Sequence, residues 1–523
     1  MGKFINIGNA GFRKARNGEY VDKSRLISVV NQTLCSERKF SCVTRARRFG
    51  KSMAAKMLCA YYDQSCDSRE LFADLTIVSD ATFEEHLNKY AVIYLDLSSF
   101  IDELRSADTV ENIKQRLRAD AIATFPQVEV APDDDLMGVL YRIVDQTGRQ
   151  FFFIIDEWDA ICREFPVGSK VMDEYVAWLR RMFKSIEASR VFAGVYMTGI
   201  LPIKKYNTQS ALNNFREYSM IDPSGMASYF GFLPSEVQKL AAKYGVDYDE
   251  LEKWYDGYQI GSQTSIFNPN SVIEAVYRRH CRSYWGATAA FTNVADYIKM
   301  DFEGLQDDII RMLAGQRVPV DPTMFQNDLN VVTSRDDVLT VLIHLGYLSY
   351  DRDEQECYIP NREVAGELEH AVRFNNWQPV TNALQASKRL MQALFSGDAE
   401  AVARGVEAVH SNSTSVLSYN DENSMACVLS LAFYYARNDY HIHREYATGH
   451  GFADLVFLPR KNVSKPAIII ELKCDQNVQA AIDQIHTRRY PEKVSEYTGD
   501  LLLVGISYDR STKQHSCIIE RMS

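Results

Sequence analysis

Three observations predict a chain of several α/β domains. Four apolar, β-prone runs, at residues 40–43, 90–96, 151–155 and 191–198, are separated by helical segments. The turn after the first run ends in Gly50-Lys51-Ser52. A second set of strand-like runs near the C-terminus carries charges at alternate positions, in Glu471-Leu-Lys473 above all. Apolar strands separated by helices make a parallel sheet covered on both faces, with functional groups gathered at the carboxyl ends of its strands.

The first run leads through its turn into Met53, Lys56, Met57, Ala60 and Tyr61, which recur with helical period. Strand, turn, Gly-Lys-Ser and helix in that order form a phosphate-binding loop. Arg47, Arg48, Phe49, Gly50, Lys51 and Ser52 are therefore the candidate nucleotide cradle. Backbone N–H groups at the helix start hold an anion, Lys51 reaches the β- and γ-phosphates, and the Ser52 hydroxyl binds Mg²⁺. One position departs from the motif: its first glycine is replaced by Arg45.

The later strands supply the rest of an ATP site. An extra strand, 90–96, lies between the loop and Asp156-Glu157, the order found in phosphate-loop proteins with a catalytic glutamate. Asp156 is expected to hold Mg²⁺ through water, and Glu157 to orient or deprotonate the attacking water. Thr198 is expected near the γ-phosphate as a polar sensor. Arg216 is a candidate arginine finger supplied in cis, although a surface arginine is the plainer reading.

At 523 residues the chain exceeds what one hydrophobic core serves, so about two to four domains are expected. A composition of 46% apolar and 24% charged residues is that of an ordinary soluble globular protein. The net charge of −11 argues against a broad, nonspecific polyanion binder. Ten scattered cysteines with no metal spacing read as reduced thiols, which suits the cytoplasm. No apolar run approaches the ~20 residues that span a bilayer, so no membrane partner is expected. The oligomeric state is not legible.

Taken in order, residues 1–225 are read as the nucleotide domain, 226–289 as a helical lid, and 290–370 as a middle region shaped like a winged helix. Residues 371–412 are read as a helical linker and 413–523 as the last domain. Helix start signals place a cap at Asn270 or Ser271, and the final strand at 501–506.

In the last domain, side chains two apart on a strand share a face, so Glu471 and Lys473 project together while Leu472 enters the opposite core. Two charges on a half-buried strand need partners. Asp454 on the preceding strand supplies a second carboxylate. The pair would bind Mg²⁺ or Mn²⁺ through oxygen, with Lys473 steering or deprotonating a water that attacks a phosphodiester. Glu422, at the start of a predicted helix Met425–Ala436, could reach the metal through water. Gln484 could hold Lys473 or the nucleophile. DNA ranks ahead of RNA as the expected partner.

These motifs resemble a bacterial family that joins an AAA-ATPase-like domain to a C-terminal nuclease-like domain of the PD-(D/E)XK superfamily. The resemblance rests on Tyr20-Val-Asp-Lys23, Arg47-Arg-Phe-Gly-Lys-Ser52, Ile155-Asp-Glu-Trp-Asp159, Thr198-Gly199 and Trp254-Tyr-Asp-Gly-Tyr258. It continues in Asn268-Pro269, Gly346-Tyr-Leu348, Pro360-Asn361, Ala453-Asp454-Leu455, Glu471-Leu-Lys473 and Gln484-Ile485. It implies ATP binding, a P-loop NTPase parallel sheet of the ASCE/AAA-like type and a restriction-endonuclease-like α/β domain that uses a metal. A phosphate loop lacking its first glycine is usual in that family. Ala46 replaces a usual proline, and Phe452 a common arginine. The function expected is an ATP-dependent, metal-dependent nuclease. The alternative is a nucleotide-regulated switch whose inert nuclease fold only grips nucleic acid or protein.

Overall fold

The computed structural model describes residues 2–105, 109–166, 168–203, 212–285, 302, 304–313, 315–326, 332–374, 378–413, 429, 432–447, 452–459, 463, 465–488 and 500–522. They form two compact units. One comprises Met1–Ala289 with Pro319–Gly366, the other Ala290–Val318 with Glu367–Ser523.

The first unit is built on strands β1 (Phe40–Thr44), β2 (Ala91–Asp96), β3 (Phe151–Asp156), β4 (Phe192–Gly199) and β5 (Arg216–Tyr218). Their order is β2-β3-β4-β1-β5, and every pairing is parallel. The four predicted strands are all present. β5 was not expected, because three residues, two of them exposed, leave no periodic signal. Alternation along the strands feeds two cores. Cys42, Ile93, Phe153 and Val195 face one cluster. Val43, Val92, Phe152, Ile154 and Tyr196 face the other, against Ala55, Leu58 and Tyr62 of the Lys51–Tyr62 helix. At the β2 border, Ile5 makes an antiparallel bridge to Ile93. There the Asp120 carboxylate accepts the N–H groups of Lys3, Phe4 and Ile5 at 2.9, 2.8 and 2.9 Å.

Helices Pro234–Tyr244, Tyr248–Tyr255 and Pro269–Arg278 share a core of Val237, Leu240, Leu251, Tyr255, Val272 and Val276. This lid region is not purely helical, because strands β6 (Tyr258–Ile260) and β7 (Gln263–Ile266) form a hairpin within it. The last lid helix is capped by Asn268, whose side chain accepts the Ser271 N–H, rather than by Asn270 or Ser271. Pro269 explains the difference, since its fixed φ suits the first helical position and puts the cap on the residue before it. Gly257, at φ 97°, turns the chain from helix into hairpin, and an added Cβ would overlap the Pro360 carbonyl. Beyond it, the Arg335–Leu345 helix leads into an antiparallel pair, Ser349–Asp351 with Glu356–Tyr358.

The second unit holds a five-stranded mixed sheet of Tyr440–Ala447, Phe452–Pro459, Ala467–Cys474, Leu501–Asp509 and Gln514–Met522, paired in that order. Ala467–Cys474 and Leu501–Asp509 run parallel, and the other neighbours antiparallel. Leu455, Phe457, Ile468, Ile470 and Leu472 pack on Leu390 and Leu394 of the Gln378–Ser396 helix and Val402 and Val406 of the Ala399–Ser413 helix. Val456, Leu458 and Ile469 pack on Ile482 and Ile485 of the Val478–Thr487 helix. The Gln514–Met522 border strand was not foreseen: most of its side chains are exposed or half-buried, so its alternation carries little apolar contrast. Among the described residues, no helix is long and apolar enough to cross a membrane.

Candidate functional site

Gly50, at φ 92°, ends the loop after β1 and caps the Lys51–Tyr62 helix. Lys51 is 8% exposed and donates to the carbonyls of Arg45 and Ala46 at 2.8 and 2.9 Å. Burial pulls its pKa down to about 8, against the pull of Asp159, Glu157 and Asp156. The loop is thus wrapped around its own ammonium. Arg45, at the motif's missing glycine, is fully buried and donates to the carbonyls of Thr44, Tyr218 and Ser219 at 2.8, 2.7 and 2.9 Å. Its guanidinium also lies 5.2 Å from the Phe230 ring centre. The extra side chain ties β1 to the end of β5. Phe49 is buried edge-on against Tyr258, with ring centres 5.0 Å apart, and Arg48 donates to the Asn270 side chain at 2.8 Å.

Asp156 and Thr198 end neighbouring strands. Thr198 donates its hydroxyl to Asp156 at 2.5 Å, and Tyr94 on β2 donates to the other carboxylate oxygen at 3.0 Å. Glu157 follows in left-handed backbone, φ 53°, and accepts from Arg163 at 2.8 Å. Arg216 pairs in register with Ser41, near the amino end of β1, and so begins β5 away from the phosphate loop. Its side chain is exposed, as the plainer reading of a surface arginine has it. Sequence reasoning missed Tyr94, Asp159 and Arg163. Two of them, Asp159 and Arg163, sit two and six positions after Glu157 on a short helical turn, where spacing alone could have flagged them.

A cleft of about 630 Å³ opens beside the loop. Its lining combines Tyr20, Val21, Met57, Phe232 and Ile273 with Arg47, Lys51, Ser52 and Glu157. Apolar side chains together with cationic and hydroxyl groups suit a nucleoside with a phosphate tail. The N-terminal segment is tied to the lid beside it, with Lys23 2.7 Å from Glu236 and Glu19 2.6 Å from Lys243.

In the second unit, Leu455 pairs with Ile470 across the antiparallel strands, so Asp454 and Glu471 follow as the next opposed pair on one face. Asp454 accepts the Leu472 N–H at 2.8 Å. Glu471 is 2% exposed, and one of its oxygens accepts from Lys473 at 3.2 Å and from Gln484. Gln484 thus holds Glu471, where Lys473 or the nucleophile was expected. The other Glu471 oxygen is buried with no hydrogen-bond partner among the described residues. Burial, with Asp454 adding repulsion, pushes the Glu471 pKa up to about 7. Gly505 stands opposite Glu471 on the next strand. A Cβ there would come within 3.1 Å of Ala481 and Ile482, so the glycine lets the helix bearing Gln484 approach the sheet. Glu422 lies outside the described residues, as does most of the predicted helix Met425–Ala436.

Residues 6–208 match the family model described as Predicted AAA-ATPase, and residues 420–516 match the PD-(D/E)XK nuclease superfamily. The chain joins an AAA-ATPase-like domain to a PD-(D/E)XK-superfamily domain. An uncharacterized protein in the vnfD 5′ region of Azotobacter chroococcum mcd 1 is 21% identical over 98% of this chain and 97% of its own length. Among solved structures, Aeropyrum pernix ORC2 in its ADPNP–ADP complexes is 12% identical, with TM-score 0.33, over 69% of this chain and 98% of that one. Aeropyrum pernix ORC1 in complex with DNA is 12% identical, with TM-score 0.24, over 71% and 97%. Residues 47–52, 156 and 157 fall inside the first matched range, and Asp454, Glu471 and Lys473 inside the second.

Proposed function

We propose that the chain is an ATP-hydrolysing, metal-dependent nuclease whose cleavage of phosphodiester bonds in nucleic acid, DNA ahead of RNA, is under nucleotide control. The observation that carries the nuclease reading is the Glu471 oxygen buried without a hydrogen-bond partner among the described residues, on the strand next to Asp454. Such an atom is costly unless a cation completes it. With Asp454 beside it, that oxygen fits Mg²⁺ or Mn²⁺, which bind through oxygen donors.

Asp454 and Glu471 would hold the metal, with Glu422 a further ligand through water. When bound, the metal neutralises charge that develops on the phosphate. Gln484 fixes Glu471, and the Lys473 ammonium orients the attacking water beside the metal. In the AAA-ATPase-like domain, Arg47, Arg48, Phe49, Gly50, Lys51 and Ser52 cradle the phosphates of ATP. Ser52 and Asp156 would hold Mg²⁺ beside them, and Tyr94 and Thr198 hold Asp156 in place. Glu157 takes a proton from water as the water oxygen bonds to the γ-phosphorus and the bond to the ADP oxygen breaks.

A second reading is a nucleotide-regulated switch with an inert nuclease fold. Mg²⁺-dependent cleavage of DNA and RNA by the wild type, Lys473→Ala and Lys51→Ala separates the two. The nuclease reading expects Lys473→Ala to lose cleavage at least about 100-fold. Equal cleavage by Lys473→Ala and wild type removes it, and tight binding without cleavage establishes the switch.

A further inference from the structure

Glu157 stands in an unusual setting for the base of an ATPase. Its side chain is 38% exposed, yet its backbone is left-handed and its carboxylate is held by Arg163, whose side chain is only 10% exposed. An ion pair with so exposed a partner contributes little by itself. The guanidinium, however, is anchored from behind. Its Nε lies 3.2 Å from Asp159, which is fully buried. Asp159 in turn accepts the N–H groups of Ile200 and Leu201 at 3.1 and 3.0 Å, just beyond β4. The turn that carries these residues is pinned as well. Trp158 donates its ring N–H to the Leu201 carbonyl at 3.2 Å, and the Tyr175 hydroxyl donates to the Trp158 carbonyl at 2.7 Å.

Fixation therefore passes from the backbone after β4 to Asp159, from Asp159 to Arg163, and from Arg163 to Glu157. Burial works against the Arg163 charge, but Asp159 and Glu157 outweigh it and hold its pKa above the ordinary arginine value. Arg163 also repels Arg47, which lines the cleft and whose own pKa is lowered by burial and then by Arg163. If the only task of Arg163 were to neutralise Asp159, nothing would require its other nitrogen to reach Glu157. A left-handed backbone strains a non-glycine residue, and such strain persists where the surroundings over-determine it.

We propose that Arg163 is the positioning residue of the ATP site, orienting the Glu157 carboxylate toward the water that attacks ATP. This rests on the ATPase reading above. Arg163 does not touch the nucleotide; it restricts Glu157 to the arrangement in which proton transfer is productive.

The test measures steady-state ATP turnover by the full-length chain, with affinity read separately from a fluorescent ATP analogue. Arg163→Gln is expected to lower kcat by about tenfold or more while KM and analogue affinity stay within about twofold, since Arg163 does not line the cleft. Arg163→Lys, which keeps the charge and part of the reach, is expected to recover part of that loss. Wild-type kcat in Arg163→Gln, or a loss carried by KM instead, overturns the role. Should Arg163→Gln not fold, the same kcat-against-KM split in Arg163→Lys decides. Failure of the ATPase reading has a different signature: no turnover by the wild type, or full turnover by Glu157→Gln, and the role of Arg163 then falls with it.

Discussion

Glu471 is a buried carboxyl beside Lys473, Gln484 and Asp454, and its burial shifts its titration before any ligand arrives. Its ordinary value is 4.5, and in the fold it is pushed up to about 7. A raised carboxyl binds its proton more tightly when folded, so its cost is absent below the unfolded value and grows as pH rises through the folded one. Glu471→Gln keeps a group that Gln484 can bond and removes the charge. In chelator it is expected to raise stability by about 2 kcal/mol at pH 8 and to change little at pH 4, read as thermal midpoints at both values. Lys51 has the opposite sign of charge but the same cause, since burial lowers it to about 8. Lys51→Ala is expected to abolish the gain in thermal midpoint that ATP gives the wild type, because the proposed site has the Lys51 ammonium exchange its loop carbonyls for the phosphates.

At the scale of elements, two glycines decide whether neighbours can meet. Gly257→Ala combines a left-handed backbone with a Cβ that overlaps the Pro360 carbonyl, and is expected to cost on the order of 3 kcal/mol in urea unfolding. Gly505→Val is expected to push the Val478–Thr487 helix off its sheet, costing about 2 kcal/mol and reducing cleavage as Gln484 loses its reach to Glu471. The parallel strands were legible because buried apolar runs of Phe, Ile and Val have no other soluble use between helices. Glu471 and Lys473 were legible because strand period alone sets them on one face. What the sequence hid depends on contacts distant along the chain. Tyr94 reads as one more strand aromatic until Asp156 is placed 3.0 Å away. Arg45 reads as a broken motif until its guanidinium meets the carbonyls of Tyr218 and Ser219. Residues 216–218 and 514–522 escaped because exposed border strands carry weak apolar contrast.

At the scale of the whole molecule, the two candidate sites lie in different compact units. Calorimetry is expected to resolve two transitions with separate ligand responses. ATP should shift one, by about 2.7 kcal/mol at a hundredfold excess over its Kd, and Lys51→Ala should erase that shift. Mn²⁺ should shift the other, and Asp454→Ala should erase it. A single transition moved by both ligands would contradict this division. One detail of the first unit bears on how the protein is handled. β2 is the border of its sheet, and the stretch held by Asp120 and bridged from Ile5 to Ile93 covers that border. An affinity tag fused just ahead of Lys3 that peels this stretch away would leave an uncovered ladder of amides and carbonyls. Strand-to-strand self-association and precipitation should follow, while a tag at the opposite terminus should leave the purified chain in solution.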